Sequence, residues 1–223
     1  MQIPLNQFSL IYILCGLFGF PVFILMSLIL GINTSLGSIV FRALIAFGGL
    51  YILLKSNHTR NKLRFGPLSI FILVYSFRLI YDLSIKGIPT PFLPREVLYM
   101  FYFGSIVIPV ASITYAKIDI INLNRWFFYA SVVHAISVFF GLFLLYGANL
   151  ADLLTHRFMF NETMSDGKGS PLNPILVSRS GTSLLLLLLV NSVYGEIRLN
   201  KFYFYVYFIL SIFLLLAGGS RGP

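Results

Sequence analysis

Five arginines lie where a guanidinium could bind a phosphate. Four of them fall within or at the edge of apolar runs and the fifth falls in a long connecting segment: Arg42, Arg78, Arg179, Arg221 and Arg157. A charge at the centre of a membrane span costs at least about 2.5 to 3.5 kcal/mol on insertion scales, so each such side chain needs a partner or a purpose. A guanidinium binds two phosphate oxygens at once, whereas the ammonium of lysine acts as a point charge. Gathered in one place, these arginines would form a site for a polyanion.

The composition is that of an integral membrane protein. Of the 223 residues, 58% are hydrophobic and 10% are charged, and no soluble domain of this size could bury so much apolar surface in one core. The apolar runs do not show the alternating segments of a porin-type barrel, so we expect an all-α bundle. The formal charge of +9 comes mainly from short loops, which favours orientation in a bilayer over nucleic-acid binding. The single Cys15 excludes an intramolecular disulfide.

Seven apolar runs approach the length of a membrane span, which takes about 17 to 25 residues. They are approximately residues 8–30, 36–54, 67–84, 97–116, 126–146, 175–194 and 202–217. The sequence therefore predicts a polytopic bundle of about seven transmembrane helices, in a single membrane domain of residues 1–223. Pro21 lies within the first run, and we expect neighbouring helices to satisfy the carbonyl that it frees.

The basic residues of the loops favour a cytoplasmic N-terminus. In this orientation eight of them are cytoplasmic: Lys55, Arg60, Lys62, Arg64, Lys117, Arg125, Arg198 and Lys201. Four are external: Lys86, Arg95, Arg157 and Lys168. The longest connection, residues 147–174, is then external, and the arginines of the spans all fall toward the outer leaflet.

Each of these arginines also has an ordinary structural explanation. Arg42 and Arg179 could extend to lipid headgroups from positions near helix ends. Arg78 could pair with Asp82, one helical turn further along. These arginines all fall toward the outer leaflet, whereas the cytoplasmic loops mix lysine and arginine. The difference favours a shared role in binding a polyanion over separate structural roles. We expect the polyanion to be the diphosphate of a polyprenyl lipid that carries sugars.

The external loop also supplies groups that could act as a general base: Asp152, His156, Glu162 and Asp166. His156 ranks first because histidine titrates near neutral pH, although a loop histidine is more often only solvated. His134 lies in the middle of the fifth run, and we expect it to be a packed interior residue. Asn173 and Pro174 suit the cap and the first turn of the sixth helix.

Two stretches resemble the O-antigen polymerase and O-antigen ligase superfamily of bacterial membrane glycosyltransferases. The first is GGSRGP at residues 218–223, where Ser220, Arg221 and Gly222 are similar to the Ser-Arg-Gly element that opens the family's C-terminal signature region after a transmembrane helix. The second is HRFMF followed by SPLNPILVSRSG, similar to the family's arginine, variable stretch and Asn-Pro before the next helix. The residue-level match covers about residues 156–222, and the layout of spans and loops covers the whole chain.

The resemblance implies a longer helical protein of the bacterial inner membrane that acts at the periplasmic face and needs no cofactor, metal or nucleotide sugar. It implies that Arg221 and Arg157 contact the diphosphate of the donor, with Arg179 as a companion. The implied partners are a polyprenyl-diphosphate-linked oligosaccharide, membrane lipids and a chain-length regulator protein, with no nucleic acid. The family's second periplasmic loop, which carries catalytic residues, has no counterpart here. We therefore expect the chain to be an N-terminal fragment that is inactive by itself.

The implied function is polymerisation of lipid-linked repeat units of O-antigen or another surface polysaccharide. An O-antigen ligase, which transfers the glycan to the lipid A core of lipopolysaccharide, differs in its acceptor and stays open as an alternative. A flippase or transporter of the same lipid would show charges at the midplane and paired interrupted helices. A non-catalytic assembly subunit would require none of the five arginines.

Overall fold

The computed structural model describes residues 5–56, 67–85, 99, 101–115, 123–147, 172–195 and 197–218. These residues form helices and turns, and no strand occurs among them, as the sequence predicts. The helices are α1 (Leu5–Phe18), α2 (Phe20–Ile29), α3 (Thr34–Ser56), α4 (Pro67–Ile80), α5 (Ile108–Tyr115), α6 (Leu123–Tyr146), α7 (Pro174–Tyr194) and α8 (Lys201–Ala217). Two π-helical segments, π1 (Tyr81–Ile85) and π2 (Phe103–Val107), follow α4 and precede α5.

The chain divides into two compact units. Unit 1 consists of Met1–Ile13 and Arg42–Ile118, and unit 2 consists of Leu14–Phe41 and Asp119–Pro223. Unit 1 therefore includes α4 and α5, whereas α2, α6, α7 and α8 belong to unit 2. The prediction of one membrane domain for residues 1–223 stays a prediction.

Three helical stretches are long and apolar enough to cross a membrane: Leu36–Lys55, Leu123–Leu145 and Pro174–Tyr194. A fourth is added if α1 and α2, which meet at a bend of 67°, form one broken span. Two further apolar helices, Phe103–Ile113 and Lys201–Ala217, are shorter. Helices thus occur in each predicted run, but the described residues do not show seven spans, and that number stays a prediction.

The first predicted span is broken at Gly19. Val22 N donates to Gly19 O at 3.0 Å, whereas in a continuous α-helix it would donate to Phe18 O. Pro21, at the start of α2, has no N–H to contribute to the helix. The break therefore frees the carbonyl of Phe18 from the backbone ladder.

Unit 2 is built around α7, which packs on α6 and α8. The rings of Phe128 and Tyr207 lie 6.0 Å apart and those of Phe139 and Phe213 lie 5.7 Å apart, so α6 and α8 run in the same direction. The core is formed by apolar residues of α6, α7 and α8, together with Ile24 of α2 and Leu172 directly before α7. Its members are Ile24, Phe128, Val132, Ala135, Val138, Leu142, Leu172, Val177, Leu184, Leu188, Leu214 and Ala217.

Glycine allows α7 and α8 to approach closely, in opposite directions. A Cβ at Gly181 would lie 2.6 Å from Ser211 O, and a Cβ at Gly218 would lie 2.7 Å from Pro174 O. The two ends of unit 2 follow from these directions. At the turn end, α6 begins, α7 ends and α8 begins; at the loop end, α6 ends, α7 begins and α8 ends.

Unit 1 joins π2 and its neighbours to α4 through hydroxyl groups. Tyr102 Oη lies 3.0 Å from Ser76 Oγ and donates to Ile72 O at 3.2 Å. Pro109 follows π2 by two residues and has no N–H to offer the carbonyl of Ser105. The widened π-helical turn lies just where a regular helix would lose that hydrogen bond.

Candidate functional site

Three helix ends meet at the loop end of unit 2. Gly218, which follows the last residue of α8, packs against Pro174 O and Ser178 N in the first turns of α7. Gly141, near the end of α6, packs on Leu172, directly before α7, so that an added Cβ would lie 2.8 Å from Leu172 Cδ1. The long connection and the C-terminal segment of the chain therefore both start from this end.

Asn173 and Pro174 begin α7 in the roles that the sequence suggests. Asn173 Oδ1 accepts a hydrogen bond from Leu176 N at 2.7 Å, and Pro174 occupies the first helical turn. The extended backbone of Asn173, with φ −82° and ψ 157°, is that of a helix cap. The cap fixes the direction in which the external connection reaches α7.

Arg179 lies on α7, five residues after its start and therefore about 7.5 Å along the helix axis. Its side chain is exposed. The described residues of unit 2 include no Asp or Glu, so no carboxylate among them pairs with this guanidinium. With respect to the described residues of unit 2, the Arg179 guanidinium can therefore bind an anion that is not part of the protein.

The structure puts Arg42 and Arg78 in unit 1, each beside a neighbour of its own. Arg42 is half-buried, and its Cζ lies 4.4 Å from the ring centroid of Phe101, in a cation–π contact. Arg78 Nε lies 3.5 Å from Asp82 Oδ2. That pair is the alternative that the sequence offers for Arg78, and it is weak because the Arg78 side chain is 79% exposed. The role of both arginines in diphosphate binding stays a prediction.

Several candidate residues lie outside the described part of the chain, and their roles stay predictions. They are Arg157, Arg221, Ser220, Gly222, Asp152, His156, Glu162 and Asp166. Among the described residues, no group of three or more His, Cys, Asp or Glu side chains could hold a metal ion.

His134 has a structural role that the sequence indicates only in part. It is 3% exposed, and its Nδ1 lies 2.8 Å from Phe18 O. Because a carbonyl can only accept, Nδ1 carries the hydrogen and donates it. The packed interior histidine is thus confirmed, and it satisfies the carbonyl that the break at Gly19 frees. The sequence predicts that a neighbouring helix does this near Pro21, but no sequence signal pairs position 134 with position 18.

Comparison with known proteins finds no relative of this chain. The chain matches no protein family, and no curated protein or solved structure matches it. The resemblance to the O-antigen polymerase and ligase superfamily therefore remains a prediction that depends on its two short motifs.

Proposed function

We propose that this chain belongs to a membrane glycosyltransferase that polymerises lipid-linked oligosaccharide repeat units at the periplasmic face of the bacterial inner membrane. Its donor would be an oligosaccharide on a polyprenyl diphosphate, and its arginines would bind the diphosphate. The observation that carries this proposal is the meeting of three helix ends at the loop end of unit 2.

Both motifs of the resemblance start from that end. The Asn-Pro element is Asn173 and Pro174 at the start of α7, and Gly218, two residues before Ser220, packs against Pro174. Each extended residue spans at most about 3.6 Å, so Arg221, three residues after Gly218, can be no farther than about 11 Å from it. The chain's own covalent geometry thus supports a site shared by the two motifs, within reach of the exposed Arg179.

The proposed reaction breaks the bond between the anomeric carbon and a diphosphate oxygen and forms a bond from that carbon to an acceptor hydroxyl. Negative charge develops on the departing diphosphate, and Arg221, Arg157 and Arg179 would stabilise it at the edge of a medium of low dielectric. His156 would take the proton of the acceptor hydroxyl. Arg42 and Arg78 are weaker candidates, because Phe101 and Asp82 already lie beside them.

A flippase of the same lipid is the second candidate, and one observation favours it. The break of 67° between α1 and α2 is of the kind found in transporters, whose interrupted helices line the substrate path. A ligase would use the same donor and a different acceptor. These alternatives differ in which intermediate accumulates when the site fails.

The test replaces Arg221 or Arg157 by Lys in the gene at its own locus and follows both surface polysaccharide and lipid-linked intermediates. Lysine keeps the charge but loses bidentate geometry, so we expect at least about a tenfold loss of long chains, with single repeat units left at the outer face. Arg198→Lys, at the turn end of unit 2, is the matched control and leaves chain length unchanged.

Other outcomes identify other functions. Repeat units retained at the inner face indicate a flippase, and finished polymer left on its lipid carrier indicates a ligase. Normal polysaccharide from both lysine variants would show that bidentate arginine binding is not used, and would remove the basis of the proposal.

A further inference from the structure

We infer that the turn end of unit 2 binds the headgroups of anionic phospholipids. This inference is independent of the proposed glycosyltransferase, because it concerns the opposite end of unit 2. It depends on three observations: the basic side chains at this end, the aromatic side chains on the same helix ends, and the hydrogen bonds that tie Ile197, beside Arg198, to Asn191.

Three basic side chains lie at the turn end, and all are exposed. Arg125 is in the first turn of α6, Arg198 is in the α7–α8 turn, and Lys201 is the first residue of α8. No described residue of unit 2 is acidic. Lys117, Asp119 and Glu196, which lie a few residues away along the sequence, are outside the described residues. The described surface at the turn end is therefore purely cationic.

Exposed aromatic side chains lie on the same helix ends as these cations. Trp126 is 52% exposed, Tyr194 73%, Phe202 67% and Tyr203 52%. Tryptophan and tyrosine are enriched where a membrane helix meets the headgroups, because their rings are apolar and their N–H or O–H groups are polar. Their presence at the ends of α6 and α7, both long enough to cross a membrane, indicates that this end lies at headgroup depth.

Two hydrogen bonds tie Ile197, in the α7–α8 turn, to the last turn of α7. Asn191 donates from Nδ2 to Ile197 O and accepts at Oδ1 from Ile197 N, both at 2.8 Å. Ile197 and Leu199 pack against the core of unit 2, so Arg198 between them faces outward. A cation on a fixed backbone loses less conformational entropy on binding a phosphate than one on a flexible loop. At headgroup depth, lipid phosphates are the anions nearest to this cation.

Trp126 provides a specific test, because it is the only tryptophan of the chain. The full chain is reconstituted in phosphatidylcholine vesicles that contain an equal fraction of brominated phosphatidylcholine or brominated phosphatidylglycerol, and quenching of Trp126 is compared. Each surface Lys or Arg near an anionic lipid raises the affinity for that lipid roughly fivefold. With three such side chains, we expect phosphatidylglycerol to be preferred over phosphatidylcholine by more than about tenfold at low salt. The preference should fall steeply in about 1 M NaCl, where charges are screened beyond about 3 Å.

Two single substitutions make the test specific for this end. Arg198→Gln should lower the preference about fivefold, whereas Arg179→Gln, which removes the same charge near the loop end, should leave it unchanged. Equal quenching by the two lipids in the unaltered chain would overturn the inference and would leave an acidic protein as the occupant. An equal loss of phosphatidylglycerol preference in the two variants would also overturn the inference, since attraction to the lipid would then depend only on the net charge of the protein.

Discussion

At the scale of single residues, His134 shows how one side chain can hold a bent helix. Gly19 and Pro21 interrupt the first apolar run, and the imidazole of His134 satisfies the backbone carbonyl of Phe18 that the interruption leaves without its helical donor. The Phe18 ring also lies edge-on to the imidazole, with centroids 5.6 Å apart. A buried carbonyl in an apolar medium needs such a partner, because water cannot reach it.

Replacing His134 by Leu should lower the free energy of unfolding by about 1 to 3 kcal/mol, because Phe18 O would be left without this donor in an apolar medium. Asn should retain more stability than Leu, since its amide nitrogen can occupy nearly the position of Nδ1 and donate from there. The measurement is unfolding of the purified chain in mixed micelles with increasing dodecyl sulfate, followed by circular dichroism. A Leu variant as stable as the Asn variant would show that the hydrogen bond is not needed.

The two arginines of unit 1 illustrate how far sequence reasoning reaches at this scale. The pair of Arg78 with Asp82 was open to prediction, since residues four apart on a helix are neighbours. The contact of Arg42 with Phe101 was not, because its two members are far apart in the chain. For such residues the chemical type of the side chain can be read from the sequence, but its partner cannot.

At the scale of helices, the apolar runs predict where the helices lie, but they do not predict where a helix is interrupted. The bounds of α6, α7 and α8 agree with the runs 126–146, 175–194 and 202–217 to within three residues. The break at Gly19 and the π-helical segments π1 and π2 were not predicted, because they depend on local hydrogen bonds that the apolar pattern does not record.

The close approach of α7 and α8 leads to a prediction for two glycines. Gly181→Ala should destabilise the chain by about 1 to 3 kcal/mol, because its Cβ would meet backbone atoms of α8, at 2.6 Å from Ser211 O. Gly104→Ala is the matched control. Its Cβ would make only an ordinary contact, 3.7 Å from Ala46 Cβ, so the change should be neutral or stabilising by up to about 1 kcal/mol.

The same unfolding measurement compares the two alanine variants. If Gly181→Ala proves as harmless as Gly104→Ala, then α7 and α8 are not packed backbone to backbone in the membrane. In that case the meeting of Gly218 with Pro174, which supports the shared site, would also be in doubt.

At the scale of the whole molecule, the arrangement of unit 2 predicts that its turn end and its loop end lie on opposite sides of the membrane. In a Cys15→Ser background, Ser165→Cys in the long connection should react with a membrane-impermeant maleimide from outside the cell, whereas Arg198→Cys should react only after permeabilisation. Among the described elements, α7 alone lies between these two positions, so its crossing of the membrane places them on opposite sides. The Cys15→Ser chain itself is the control for background labelling.

A second position confirms the assignment of the turn end. Lys201→Cys should behave as Arg198→Cys does, since the two flank the same short turn. Labelling of positions 165 and 198 from the same side would mean that α7 does not span the membrane. Outside labelling of 198 alone would invert the orientation and place the loop end, with its arginines, in the cytoplasm.

The sequence by itself determined that this chain is helical, that its helices are apolar enough to enter a membrane, and that Asn173 and Pro174 begin one of them. These properties depend on composition and on residues close together in the chain. Only the tertiary structure decided which carbonyl His134 satisfies, across 116 positions of sequence, and that the ends of α6, α7 and α8 meet. Such contacts follow from the packing of whole helices, where the side chains of many residues jointly select one arrangement, and no short segment encodes that choice.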